Sequence, residues 1–236
     1  MLFWTHINDL ADILPPIHLF RYFTPFSTTR DEETLVVTVL MHKFKAYSLQ
    51  GIKKVKLSRL GLPHGKDDTE VAVPKVFLVK RATEMIDKNN FVNFLSTARG
   101  SESGAVAYVN AEHAAFADAF IVLEDFVIFI QEKQRANARV QGVRNKTVPK
   151  VCNKPVEEEY EKLGGPARNS PHAFYYVTDE MDGTSKLPPN AYVVSCDKHP
   201  TLLGTACAYL RQRSFGSSVV DATYRSDEVV LGKKKN

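Results

Sequence analysis

Phe116-Ala-Asp-Ala-Phe-Ile-Val-Leu-Glu-Asp-Phe-Val-Ile-Phe-Ile-Gln-Glu-Lys133 is the stretch that decides the fold. Two apolar runs, residues 116–123 and 126–133, flank the acidic pair Glu124-Asp125. Both are rich in β-branched and aromatic residues, which predicts two strands joined by a tight turn. Side chains alternate along a strand, so Asp118 shares a face with Phe116 and Phe120. By the same rule Gln131 and Lys133 share a face with Val127 and Phe129, while Glu132 points the other way. Asp118 stands six residues before Glu124, and Gln131 six after Asp125. A hairpin therefore sets them nearly opposite each other across the ladder. An acid, an amide and a lysine converge at one sheet edge.

That trio suits metal-assisted phosphate chemistry. A hard divalent cation such as Mg²⁺ takes oxygen ligands, and Asp118 and the amide oxygen of Gln131 offer two. The ion would polarise a phosphate and lower the pKa of a bound water. Lys133 would orient that water or stabilise charge developing on the phosphate. The competing reading is a hairpin whose polar residues mark where it meets solvent. Spacing alone supports both.

Working outward, residues 83–98 read as a helix, with Ile86, Phe91, Phe94, Leu95 and Ala98 at helical spacing and Gly100 closing it. Residues 105–110 form a short strand, and 71–79 a strand interrupted by Pro74. Downstream, Pro155 opens a helix through Leu163, with Gly164-Gly165 as its stop. Residues 172–178 and 191–196 are further strands, with one of Tyr175 and Tyr176 buried and the other exposed. Residues 201–213 read as a helix presenting Leu203, Cys207 and Leu210 on one face. Residues 34–40 are β-branched and strand-like. The order predicts an α/β chain, with a central sheet covered by helices on both sides. Gly61-Leu-Pro-His-Gly-Lys-Asp67 is one residue too short for a phosphate loop and has Asp67 where Ser or Thr is required, so it reads as a turn.

The chain has 236 residues, 44% hydrophobic and 25% charged, which excludes a wholly disordered, collagen-like or coiled-coil protein. Its three cysteines, Cys152, Cys196 and Cys207, form no CxxC pair and fit a reducing compartment. The longest apolar runs, 35–41 and 126–130, fall short of a membrane span, and the first residues carry no secretory signature. The expected address is the nucleus, alternatively the cytoplasm. No two of the seven histidines sit at ligand spacing, so no zinc site is expected; His113, near Asp118, reads as structural.

The net charge is only +4, but its distribution is uneven. Residues 34–66 hold no acid and seven cations: Lys43, Lys45, Lys53, Lys54, Lys56, Arg59 and Lys66. Residues 133–154 repeat the pattern, and Lys233, Lys234 and Lys235 close the chain. Acid-free basic stretches are the footprint of polyanion binding. Arg135, Arg139, Arg144 and Lys146 are the expected nucleic-acid contacts; a solvated loop is the alternative.

An Asp early in one strand, then a hairpin into an apolar strand ending Gln-Glu-Lys, resembles the PD-(D/E)XK, or restriction-endonuclease-like, superfamily. More narrowly, residues 118–133, His172-Ala-Phe-Tyr-Tyr-Val-Thr-Asp and Leu187-Pro-Pro-Asn-Ala-Tyr-Val-Val are similar to the carboxy-terminal region of the trypanosome retrotransposon hot spot proteins and the related Crinkler effectors. The resemblance spans roughly residues 70 to 213. It implies a restriction-endonuclease-like central mixed sheet with flanking helices, and Mg²⁺ or Mn²⁺ as cofactor. Asp118 then matches the metal-binding Asp, Lys133 the motif Lys, and Gln131 the position where a carboxylate is commoner. The family's additional helical Glu best matches Glu84, with Glu102 its rival. Larger members carry a phosphate-loop ATPase region that has no counterpart here, so this chain resembles a truncated member or an isolated carboxy-terminal part. Residues 1–69 then form an amino-terminal segment, whose aromatics Phe20, Tyr22, Phe23 and Phe26 suit packing on a larger chain or complex. Residues 70–213 form the nuclease-like domain and 214–236 a basic tail. Three functions stay open: a metal-dependent phosphodiesterase on nucleic acid, an inactive nuclease fold that binds nucleic acid or chromatin, and a structural domain of an assembly.

Overall fold

A computed structural model of the chain describes residues 29–75, 77–82, 84–100, 106–111, 114–133 and 150–204. In chain order its elements are α1 (Thr29–Leu49), β1 (Lys54–Lys56), β2 (Glu70–Ala72), β3 (Leu78–Arg81), α2 (Phe91–Gly100), β4 (Val106–Val109), β5 (Ala119–Val122) and β6 (Val127–Lys133). There follow β7 (Lys150–Val151), α3 (Asn153–Lys162), α4 (Gly164–Arg168), β8 (His172–Thr178), β9 (Met181–Asp182), β10 (Ala191–Val194) and α5 (His199–Leu203).

Residues 116–133 supply the two middle strands of the sheet. Ala119 pairs with Ile130 and Val122 with Val127, so β5 and β6 are an antiparallel hairpin that turns at Glu124-Asp125. β4 joins β5 antiparallel, completing a three-strand meander. β8 lies parallel to β6, β10 parallel to β8, and β3 parallel to β4. The six-stranded sheet runs β10-β8-β6-β5-β4-β3 and is mixed. Helix α2, the meander, helix α3 and the parallel strand β8 follow one another in the chain. Two small sheets, β1-β2 and β7-β9, stand apart from it.

Both faces of the sheet are covered, and the period-2 pattern decides which residue faces which helix. Phe120, Val127, Phe129, Phe174 and Tyr176 face one core, closed by Phe91 and Leu95 of α2 and by Val156 and Tyr160 of α3. Ile121, Ile128, Ile130, Tyr175 and Val177 face the other, against Leu35, Val36, Leu40 and Phe44 of α1. Residues on both sides of position 69/70 contribute to that second core. No helix among the described residues is long and apolar enough to cross a membrane.

Several local readings are corrected. Residues 34–40 are helical, within α1, not a strand. Leu35, Val36, Val37, Val39, Leu40 and Met41 are all buried, and an apolar run of this length carries no period that separates a strand from a buried helix. Tyr175 and Tyr176 are both buried, because both sheet faces are covered. The strand expected over 71–79 splits at Pro74: β2 pairs with β1, and β3 joins the central sheet.

The helix expected over 83–98 begins at Phe91. Asp87 holds its start: one of its carboxylate oxygens accepts the backbone N–H of Asn89 at 2.8 Å and of Asn90 at 3.1 Å, and Asn90 Oδ1 accepts the Asp87 N–H at 2.8 Å. That reciprocal capping ends the extended chain at Asp87 and starts the helical turn there. The last described helix ends at Leu203, where Gly204 adopts a φ of 78°. Residues 205–213 of the helix expected there, with Cys207 and Leu210, lie outside the described residues. So do residues 1–28 and the tail 214–236.

Candidate functional site

Asp118 precedes the first residue of β5, and the observed register sets it directly across from Gln131 of β6. Its backbone is fixed from the β4 side: the Asn110 N–H donates to the Asp118 carbonyl at 2.7 Å. The Asn110 side chain, itself buried, donates to the carbonyls of Ile86 at 2.8 Å and Ala117 at 3.1 Å. Its Oδ1 accepts the Ile86 N–H at 2.9 Å and the Ala111 N–H at 2.8 Å. One amide thus locks the approach to β5 and the chain leading to α2.

At the site itself, Gln131 Nε2 donates to Asp118 Oδ2, and the backbone N–H of Glu132 donates to the same oxygen at 2.7 Å. Lys133 Nζ lies 3.0 Å from Glu159 Oε1, on α3. The other oxygen of Glu159 takes Lys162 Nζ at 2.9 Å. Asp118, Gln131, Lys133 and Glu159 therefore share the α3 side of the sheet at the end of β6. Burial pushes the Asp118 carboxyl above its usual range. The Glu132 N–H, Lys133 and Gln131 pull it back down, and the charge of Glu159 adds to the rise. Tyr176, which pairs with Gln131 in the ladder, has its hydroxyl pushed up to about 12 by burial, then by Glu159, Glu180 and Cys152.

The structure brings Asp118, Gln131 and Lys133 together. Glu84 is placed differently: it follows β3, ahead of α2, and is exposed. Among the described residues its side chain makes no hydrogen bond or ion pair with the trio. Glu102, His113, Arg135, Arg139, Arg144 and Lys146 lie outside the described residues. Of the first basic stretch, Lys53, Lys54, Lys56, Arg59 and Lys66 are exposed. Lys43 is not a surface cation: its Nζ donates to the carbonyls of Leu60 at 2.7 Å and Thr201 at 3.1 Å.

Two residues of the centre escaped the sequence reading. Glu159 carried a signal, since Val156, Tyr160 and Leu163 mark the buried stripe of α3 and its turn-end, and Glu159 sits on that stripe three residues from Val156. Asn110, after an apolar strand, carried none. Among the described residues no group of three or more His, Cys, Asp or Glu is placed to hold a metal ion. The oxygen donors are one carboxylate and one amide on the strands, with the Glu159 carboxylate beyond Lys133. In comparisons with protein-family models, curated proteins and solved structures, nothing matches this chain.

Proposed function

We propose that this chain is a restriction-endonuclease-like domain that acts on nucleic acid as a divalent-metal-dependent phosphodiesterase. The observation that carries the reading is the meeting of Asp118, Gln131 and Lys133 on one face of the sheet, at the end of the central strand β6. The helix, three-strand meander, helix and parallel strand that frame it support the same reading.

The donor set suits Mg²⁺ or Mn²⁺. Such an ion keeps several waters and binds through one or two carboxylates together with substrate phosphates. Asp118 and the Gln131 oxygen would hold it, the amide turning its oxygen toward the cation. When bound, the ion supplies an activated water and a polarised phosphate. Asp118 is oriented by the Glu132 N–H, and Lys133 carries the positive charge for the phosphate oxygens. The acid-free basic runs supply sequence-independent attraction to the phosphate backbone.

A second reading has its own support: the Gln131–Asp118 bond leaves the site with a single strand carboxylate, as in an inactive nuclease fold retained for binding. Purified protein incubated with single- and double-stranded DNA and RNA, with and without Mg²⁺ and Mn²⁺, separates the two. Metal-dependent products that disappear in Asp118→Ala support the enzyme. A wild type and a Gln131→Glu variant that bind nucleic acid yet yield no products support the binding module.

A further inference from the structure

We propose that Glu159 is the second carboxylate of the metal centre, delivering from α3 the negative charge that Gln131 does not provide on β6. The inference rests on the metal-dependent reading above and names a ligand that reading lacks.

Glu159 is set where a carboxylate is costly to place. Its side chain is only 12% exposed, on the helix stripe that packs Val156 and Tyr160 onto the sheet. A surface helix needs no acid there, and a buried one must be paired. The partners found are Lys162 from its own helix at 2.9 Å and Lys133 from β6 at 3.0 Å. Lys133 is two residues from Gln131 and on the same sheet face, so Glu159 meets the strand trio through that lysine. The charges of both Glu159 and Lys133 act on the Asp118 carboxyl.

The charge of Glu159 opposes ionisation of Asp118, and a divalent cation held by both would relieve that repulsion more fully than one lysine does. With Asp118 alone the protein offers one negative charge to a doubly charged ion; with Glu159 it offers two. Moving Glu159 onto the cation would also release Lys133 Nζ from its ion pair and leave it for a phosphate oxygen. Lys133 and the cation thus compete for the same carboxylate.

The test is Mn²⁺ binding to the full chain without nucleic acid, followed by calorimetry, with circular dichroism to confirm folding. Glu159→Gln should weaken Mn²⁺ binding at least about tenfold, because one of two charged ligands is gone. Glu159→Asp should retain most of the affinity, and Glu158→Gln, on an exposed side chain, should match the wild type. Lys133→Met removes the competitor and should hold or raise the affinity. If Glu159 only positioned Lys133, neither Glu159→Gln nor Lys133→Met would change Mn²⁺ affinity. That result overturns the inference and leaves the metal-dependent reading standing. A wild type that binds no Mn²⁺ overturns both.

Discussion

Asp118 accepts two hydrogen bonds that a carboxylate wants, inside a burial that a carboxylate resists. Burial wins, and its pKa in the folded chain stands above the ordinary value. The folded state therefore holds this proton more tightly than the unfolded chain. Its contribution to stability is fully present below the ordinary carboxylate pKa and declines as pH rises through the raised one. Asp118→Asn removes the titration, and Asn can still accept from the Glu132 N–H. Urea unfolding should show Asp118→Asn gaining on the wild type as pH rises from about 3 to about 7. A difference that stays flat or shrinks contradicts the assignment. Asn110 is the second residue to test. Asn110→Leu orphans buried groups on Ile86 and Ala117, each costing about 1–3 kcal/mol, so a loss of at least about 2 kcal/mol is expected in urea unfolding. The meeting of Asp118 with Gln131 was legible because strand period and turn position alone fix it. The roles of Asn110 and Glu159 were not, since each depends on which chain packs across it.

Among the elements, the meander and β8 were legible and α1 was not. β5, β6 and β8 lie between two layers and are largely apolar up to the polar ends of β6 and β8, so turn residues and β-branching were enough to place them. The run Leu35-Val-Val-Thr-Val-Leu-Met41 carries the same composition, and only its tertiary surroundings make it helical. Lys43 shows what those surroundings do: it ties α1 to the turn after β1 and to α5 through two carbonyls. Burial brings its pKa down to about 8 from the ordinary 10.5. Between those values the unfolded chain holds more protons than the folded one, so the wild type should gain stability as pH rises from about 8 to 10.5 relative to Lys43→Met. Urea midpoints in that interval measure it, and a parallel pair of curves contradicts it. At α2, Phe91 is fully buried, with its ring against those of Phe94, Phe116, Phe120 and Phe129. Phe91→Ala should cost about 3–5 kcal/mol by denaturant unfolding, a large part of a domain's total stability.

At the scale of the molecule, a mixed sheet is closed by α1 on one face and by α2, α3 and α4 on the other. The candidate centre opens at the end of β6, on the second of these faces. The α/β class was legible because alternating helical and strand periods leave few ways to cover a sheet. The basic run follows Lys133 directly in the sequence, and Lys133 belongs to the Asp118 centre, which is why phosphate backbone is the ligand inferred for both. That association is common to the active and inactive readings, so it is the claim to test most directly. Fluorescence anisotropy of labelled DNA and RNA should be recorded across a KCl series. The proteins compared are the wild type and a variant with Arg135, Arg139, Arg144 and Lys146 all changed to Ala. The expected result is binding that weakens steeply with salt in the wild type, and a variant slope shallower by up to about 3–4 units, since each phosphate contact contributes about 0.7–0.9. No binding at low salt, or identical slopes for the two proteins, would contradict a nucleic-acid role for this chain.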